Sequence, residues 1–532
     1  MPDADANWKP KHNPWAVALT VTLATFMEVL DTSIANVAIP HIAGGLGASQ
    51  DEATWVLTSY LVSNAVILPA SAYLVSFIGR KRFYMICVAL FGVSSMLCGL
   101  APSLPLLIFF RVLQGAGGGG LQPSEQAILA DTFPPRKRGQ AFAVYGMAVV
   151  LAPAIGPTLG GWITDNYTWR WIFFINVPIA ILSLFLSSRL VEDPPHIQRE
   201  VEQSRKRGLN LDYMGFGLLA VGFGSLQFVL DKGQEDDWFG SHLISTFFVL
   251  CAVALVTLIV WEIAQIRKGH RPILDLTMFR NRTFAVSAFL MFVLGFTLFG
   301  TTVLIPLFVQ QMMGYTAEQA GLVISPGGLA ILVLMPLVGF LVSRVDARYL
   351  IAFGFAILAA ALAALHTIDT QASYAYVAWM RIFQASGLAF LFVPINTLSY
   401  TDVPREKNND VSGLMNLARN IGGSVGTSFF VTMLARRSQD HQDRLAMHFN
   451  ASSTAFLNAI NRTAQYFQHA GGLTASPSQA RALAEGTLYQ QLLRQSTQLA
   501  YLDVIAVLAV GSACMIPLIF LMKKHKGPAA AH

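Results

Sequence analysis

The chain has 532 residues, of which 54% are hydrophobic and only 12% charged, with a formal net charge of +6 at pH 7. Soluble globular domains carry about 25% charged residues, so this composition argues against a water-soluble enzyme or binding domain and for a polytopic membrane protein. The basic excess falls in short connections between apolar stretches, where it reports membrane topology and gives no reason to invoke nucleic acid.

In chain order, apolar stretches long enough to cross a bilayer lie near 15–39, 54–77, 83–100, 104–130, 140–163, 171–189, 213–230, 244–266, 285–308, 320–342, 349–367, 374–400, 411–434 and 499–522. These predict an all-α polytopic protein of about fourteen transmembrane helices. Lys9 and Lys11, Arg80 to Arg82, Arg136 to Arg138, Arg205 to Arg207, Arg267 to Arg271, Arg344 with Arg348, Arg405 with Lys407, and Lys523 with Lys524 fall in alternate connections. The positive-inside rule then predicts both termini in the cytoplasm. With no small-residue cleavage site after a short apolar region, span one is expected to stay as a membrane anchor.

Catalysis finds no support in the sequence. There is no nucleophile–base pairing pattern, no Walker-type Gly-Lys-Ser/Thr run and no metal-ligand spacing. Cys87, Cys98, Cys251 and Cys514 sit within apolar spans without paired spacing and read as packing residues. Neither a cofactor nor a metal is expected.

An internal repeat organises the chain. Arg111-Val-Leu-Gln114-Gly115 in span four matches Arg381-Ile-Phe-Gln384-Ala-Ser-Gly387 in span twelve. Ser76-Phe-Ile-Gly79-Arg80-Lys81 after span two matches Ser343-Arg344-Val-Asp346-Ala-Arg348 after span ten, at a similar offset of about 270 residues. Two six-span halves therefore bracket two extra spans: 1–190, 191–283 with a polar linker and the inserted pair, and 284–532. Parallel repeats of this kind build two-half secondary transporters. The segment 435–498 is predicted as the one long loop, placed outside. Its Ala/Leu/Gln-rich stretch from Ser478 to Gln498 is a candidate for amphipathic helix, and the sequons at Asn450 and Asn461 read as accidental.

Span one carries two carboxylates in its middle, Glu28 and Asp31, on one face with Thr25, Thr32 and Ala35. An acid at that depth costs roughly 2.5 kcal/mol or more and is rarely left without a partner or a task. On span four, Arg111, Gln114, Gly118, Gln122 and Glu125 form a similar stripe. Counting about 1.5 Å per residue from the outer ends puts Asp31 and Arg111 at matching depth, so they are expected to be neighbours. A nearby guanidinium stabilises the carboxylate and burial destabilises it. The pair is then either a static lock between helices or a switch that gains and loses a proton. Glu28, one turn deeper with no matched cation, is a candidate for binding a proton or a cationic substrate. Glu125 is the less certain acid, close enough to the inner end to reach water.

Substrate-cavity candidates are Glu28, Gln114, Gln122, Glu125, Arg381 and Gln384, with Phe292 and Phe296 from an aromatic stripe on span nine that serves either packing or aromatic ligands. On span five, Ala152, Gly156 and Gly160 recur every four residues, which permits close helix approach, and Pro153 and Pro157 can bend the helix.

Leu30-Asp31-Thr-Ser-Ile-Ala-Asn-Val-Ala-Ile-Pro40, Arg111 to Gly115, Gly156-Pro157-Thr-Leu-Gly160-Gly161 and Trp169 to Pro178 occur in that order. In this the chain resembles the fourteen-span drug:proton antiporters of the major facilitator superfamily, of the EmrB/QacA type, along nearly its whole length. The resemblance implies proton coupling by Asp31 and Arg111, and an antiporter motif in Pro153, Gly156, Pro157, Gly160 and Gly161. It also implies a cytoplasmic gate loop at Gly79, Arg80 and Lys81, although Ala72 and Ser76 stand where the gate motif usually has Gly and Asp. Glu28 lies outside the family motifs. The function so implied is proton-coupled multidrug efflux from the bacterial inner membrane, with an EmrA-like periplasmic adaptor and a TolC-like outer-membrane channel as partners. A dedicated exporter or symporter of one metabolite or fatty acid is the alternative.

Overall fold

A computed structural model describes residues 8, 10–206, 212–368, 372–401, 403–447, 449, 453–469 and 476–522. Lys9, Arg207, Asn450, Lys523 and Lys524 lie outside the described residues, as does the Arg205 side chain. The described residues form eighteen α-helices, three short 3-10 turns and no strand.

The first part of the chain builds α1 (Pro14–Leu46), α2 (Gln50–Ile78), α3 (Arg80–Leu100), α4 (Leu104–Gly118), α5 (Leu121–Thr132), α6 (Pro135–Asn166), α7 (Trp171–Phe174), α8 (Asn176–Leu190) and α9 (Pro195–Lys206). Two long helices follow, α10 (Tyr213–Lys232) and α11 (His242–Arg267). The remainder comprises α12 (Arg282–Gln311), α13 (Ala317–Leu341), α14 (Ala347–Leu365), α15 (Tyr374–Ser399), α16 (Asn408–Ala446), α17 (Thr454–His469) and α18 (Pro477–Ile519).

Thirteen helical stretches are long and apolar enough to cross a membrane, counting α4–α5 and α7–α8 as one each. The expected fourteenth, α16, falls short because its first half carries Asn408, Asn409, Asp410, Asn416, Arg419 and Asn420. It nevertheless runs through the bundle, packed on α12, α18 and α2. Asn408, Asn409, Asn416 and Arg419 are buried against other helices, where hydropathy alone is a poor guide.

Two predicted elements need correction. Span four is not one helix: it breaks between α4 and α5 at Gly119 and Gly120. A Cβ on Gly119 would lie 2.7 Å from the Asn64 carbonyl oxygen, and one on Gly120 would lie 2.4 Å from Cys87 Sγ. The glycines let this span press directly on α2 and α3. The predicted 435–498 loop is mostly helix. A helix rises about 1.5 Å per residue, so α16 and α18 are each about 60 Å long, well beyond a hydrocarbon core of about 30 Å. Their extensions stay joined through Ser438–Thr497 (3.2 Å), His441–Asp503 (3.0 Å) and Gln442–Tyr489 (3.5 Å), with α17 packed on α18. The start of α18 is fixed by a reciprocal cap between Ser476 and Gln479. Buried residues four apart, Ala480 and Ala484, then Leu492, Ser496 and Ala500, most of them small, carry its inner face.

The basic connections gather at one end of the bundle. Lys407 pairs with Asp275 (2.6 Å), Arg271 pairs with Glu200, and Arg80 donates to Asn409 (2.8 Å). Because α16 starts at this end, its long extension emerges at the other. The inserted helix α10 lies over the seam between α2 and α16, where Ser424 donates to Gln227 (2.8 Å) and Thr58 donates to Asp231. Trp238, just beyond α10, donates to Thr432 (3.1 Å).

The tightest contact between long helices is α12 on α16. A Cβ on Gly422 would meet the Phe292 carbonyl oxygen at 2.1 Å, one on Gly426 the Phe296 carbonyl at 2.4 Å, and one on Gly295 the Arg419 carbonyl at 2.1 Å. Gly422→Val should therefore lower the thermal unfolding temperature of the detergent-purified protein by several degrees. Gly486→Ala in α18, which faces open space, should leave it unchanged or slightly raised, since alanine favours helix by about 1 kcal/mol over glycine. Equal unfolding temperatures for Gly422→Val and the unaltered chain would contradict this packing.

Candidate functional site

Asp31 and Arg111 meet in the interior. The Asp31 carboxylate is 2% exposed as a residue and Arg111 not at all. Arg111 Nη1 lies 2.6 Å from Asp31 Oδ2, and Asp31 Oδ1 accepts from Asn176 Nδ2 (2.7 Å) and Gln114 Nε2 (3.0 Å). Arg111 is held in turn by Gln114 Oε1 (2.9 Å), by the Val56 carbonyl (2.9 Å) and by the Tyr60 ring face, 4.3 Å from its guanidinium carbon. One carboxylate thus ties α1 to α4 and α8, and its guanidinium partner adds α2. Sequence reading had left Asn176 out of the site, although an asparagine inside an apolar span was visible there.

Glu28 sits one turn along α1 in a separate setting. Its Oε2 accepts from Gln122 Nε2 (2.5 Å), and its Oε1 from Asn64 (3.2 Å) and the Tyr60 hydroxyl (3.3 Å). The expectation that Glu28 has no matched cation is corrected by Arg419 of α16. Arg419 donates to Gln122 Oε1, one side chain away from Glu28, and acts on the carboxylate electrostatically. It also donates to the Tyr145 hydroxyl (2.9 Å) and Asn416 Oδ1 (2.8 Å). Asn416 donates to Gln126 Oε1 (2.9 Å), and Gln126 donates to Asn396 Oδ1 (3.2 Å). A continuous polar chain therefore runs from Glu28 on α1 through α5 and α6 to α15 and α16. Arg419 was legible: it is a lone charge well inside the apolar stretch 411–434, the same signal that marks Glu28.

Glu125 does not reach an aqueous end. It is fully buried, accepts from the Thr22 hydroxyl (2.6 Å), and leaves Oε2 without a partner. Its helix α5 packs directly on α1, which closes the path its position suggested.

Pro153, Gly156, Pro157 and Gly160 lie on α6, which passes between α1 and α13. A Cβ on Gly156 would fall 2.3 Å from Ser33 Oγ, and one on Gly160 3.1 Å from Ile34 Cγ2. The small face thus brings α6 onto α1 within three residues of Asp31. Gly161 points to open space and takes no part in this contact. Phe292 and Phe296 stack on each other, and Phe296 packs on Phe429 and Phe430 of α16, so they occupy the α12–α16 seam. Arg381 Nη1 donates to Gln384 Oε1 (2.8 Å), repeating the Arg111–Gln114 pair without an acid.

At the basic end, Gly79 adopts φ +92°, a left-handed backbone that favours glycine. Arg80 follows it, fully buried, with Nη1 2.5 Å from Asp131 Oδ2 and Nε donating to Asn409. Asn408 donates to Asp131 Oδ1 (2.6 Å). Ser76 donates to its own helix at the Tyr73 carbonyl (2.6 Å), so the contact across this end runs through Asp131 in place of the missing aspartate. Lys81 reaches the linker and the end of α8, its backbone N–H donating to Asp193 (2.8 Å) and its ammonium to the Ser188 carbonyl (2.7 Å). Among the described residues no group of three or more His, Cys, Asp or Glu is placed to hold a metal.

The arrangement is one of buried ion pairs and hydrogen-bonded polar groups shared among helices. Comparison with known proteins agrees. Residues 21–427 match the family model of the Major Facilitator Superfamily. The chain is 37% identical over 491 residues to the multidrug export protein EmrB of Escherichia coli strain K12, covering 92% of this chain and 91% of that one. It is 38% identical over 476 residues to the fatty acid resistance protein FarB of Neisseria gonorrhoeae, covering 89% and 90%. Its fold matches the proton:xylose symporter XylE bound to 6-bromo-6-deoxy-D-glucose with a TM-score of 0.58 over 97% of both chains, at 15% identity. The chain therefore belongs to the major facilitator superfamily, as an EmrB-like multi-pass membrane transporter.

Proposed function

We propose that the chain is a proton-driven exporter of amphipathic compounds, working by alternating access between its two six-helix halves, residues 1–190 and 284–532. The observation that carries this reading is the fully buried Asp31–Arg111 pair beside the α1–α6 contact. Protonating Asp31 removes the charge that holds Arg111, Gln114 and Asn176. Breaking a buried pair in this way costs several kcal/mol, enough to change which helix packing is preferred. Glycine-lined α6 lies between α1 and α13, so a shift of α1 is felt by the other half. Export then follows if substrate binding and protonation exclude each other.

Glu28 takes the substrate role in this scheme. Its carboxylate is shared among Gln122, Asn64 and Tyr60, and a cationic drug competes with the Gln122–Arg419 arm for it. No cofactor is required. A proton moving down 100 mV supplies about 2.3 kcal/mol, equivalent to an almost fifty-fold substrate gradient.

The setting that goes with this reading is the bacterial inner membrane, with the basic end and both termini in the cytoplasm. The helical extensions of α16 and α18 then stand on the periplasmic side. They offer a rigid surface to an EmrA-like adaptor that connects to a TolC-like outer channel. The second reading, a dedicated exporter of a fatty acid, is favoured by the 38% identity to FarB.

In proteoliposomes with an imposed pH gradient, Asp31→Asn should lose proton-driven drug transport by at least about a hundredfold, a deficit of about 2.7 kcal/mol, while the purified variant still binds drug. Coupled transport at the normal rate by Asp31→Asn overturns the assignment. Glu28→Gln should weaken export of a lipophilic cation about tenfold, or ~1.4 kcal/mol, and spare a neutral substrate of similar size. Equal losses for both substrates would remove Glu28 from charge selection.

A further inference from the structure

Five arginines are buried among the described residues: Arg80, Arg111, Arg138, Arg381 and Arg419. Four have an acid within electrostatic reach. Arg80 and Arg111 are paired with Asp131 and Asp31, Arg138 feels Asp131, and Arg419 feels Glu28. Arg381 is the exception. It is 6% exposed, its one side-chain hydrogen bond goes to Gln384, and its Nε and the Gln384 Nε2 have no partner. No neighbouring charge offsets its burial.

The repeat makes the omission specific. Arg111 and Arg381 stand at the same place in the two halves, each bonded to a glutamine three residues on. The offset that relates them carries Asp31 onto Thr301, whose hydroxyl donates to the Thr297 carbonyl of its own helix (2.8 Å). The second half thus keeps the cation and drops the anion. A guanidinium at membrane depth is costly unless something negative reaches it, and an unpaired one marks a site. Gly327 of α13 leaves room for the Arg381 stem, a Cβ there falling 3.0 Å from Arg381 Cγ. The next residue, Gly328, meets Leu151 and Ala154 of α6, so the Arg381 stem packs on α13 one residue from its contact with α6.

We propose that Arg381 and Gln384 form a subsite for the carboxylate of an anionic amphiphile, with the guanidinium and the free Gln384 amide donating to its oxygens. The unpaired geometry of Arg381 suits a forked acceptor, which a carboxylate provides and an ammonium or hydroxyl head does not. The proposal rests on the exporter reading and supplies it with a second substrate class beside the cations that Glu28 would receive.

The test is equilibrium binding of three radiolabelled ligands with one tail, decanoate, decanol and decyltrimethylammonium, to the full chain in lipid nanodiscs, with empty nanodiscs subtracted. Arg381→Gln should weaken decanoate binding at least about tenfold, and Arg381→Lys, which keeps the charge but loses the fork, should fall between Arg381→Gln and the unaltered chain. Decyltrimethylammonium binding should not change. Arg381→Met, which removes an unpaired buried charge, should unfold at the same temperature or higher. Unchanged decanoate binding by Arg381→Gln overturns the proposal, as does an equal loss for anion and cation. Unfolding of both Arg381→Gln and Arg381→Met would make the residue structural and overturn it as well. A chain that binds decanoate through Arg381 yet shows no transport under a pH gradient would sink the exporter reading and leave the subsite standing.

Discussion

A charge held in a bilayer needs a partner from another helix, and the Asp31–Arg111 ion pair is where this protein meets that constraint most fully. The carboxylate satisfies groups from α4 and α8, and the guanidinium adds α2, so four elements are positioned by two side chains. The surrounding packing follows from that arrangement. Glycines in α4 let it close on α2, and the Gly156–Gly160 face of α6 seats against α1 beside the pair. Close backbone approach of this kind is what stabilises helix contacts where lipid and side chain are equally apolar. A lock built on charge also carries its own release, because one proton abolishes half of it.

The second constraint lies where the helices of the first part of the chain meet those of the last part. Here the interface is polar where it crosses the middle. Gln122, Arg419, Tyr145, Asn416, Gln126 and Asn396 exchange hydrogen bonds between halves, and Arg80, Asp131, Asn408 and Asn409 do so at the basic end. Bonds of this type are worth about 1 kcal/mol each in net terms, so each can be broken at smaller cost than the packing of an apolar core. The cost appears in α16. It presents asparagines and an arginine to the interface, and among the described helices of span length it is the one too polar to count as a membrane span.

How much of this was readable beforehand differs by residue. Asp31 and Arg111 could be paired from depth alone, because a helix has a fixed rise and both lie at measured distances from a chain turn. The small-residue face of α6 was readable for the same geometric reason. Arg419 was missed although it breaks an apolar stretch as plainly as Glu28 does, and with it the partner of Glu28 was missed. Glu125 was misplaced because counting along one helix does not reveal what covers its end. The extensions of α16 and α18 read as a loop because their inner faces are small and polar residues, with little apolar contrast to mark a helical period. A lock and a switch at Asp31 differ in whether its carboxylate takes up and gives back a proton.

Proton exchange on substrate binding reaches that question most directly. Drug is added to the purified protein in lightly buffered detergent solution containing a pH indicator, and released protons are counted against bound drug. An antiporter whose substrate and proton exclude each other releases protons as drug binds, and Asp31→Asn loses that release while still binding. Saturable drug binding by the unaltered chain with no proton released across the working pH range would contradict the account.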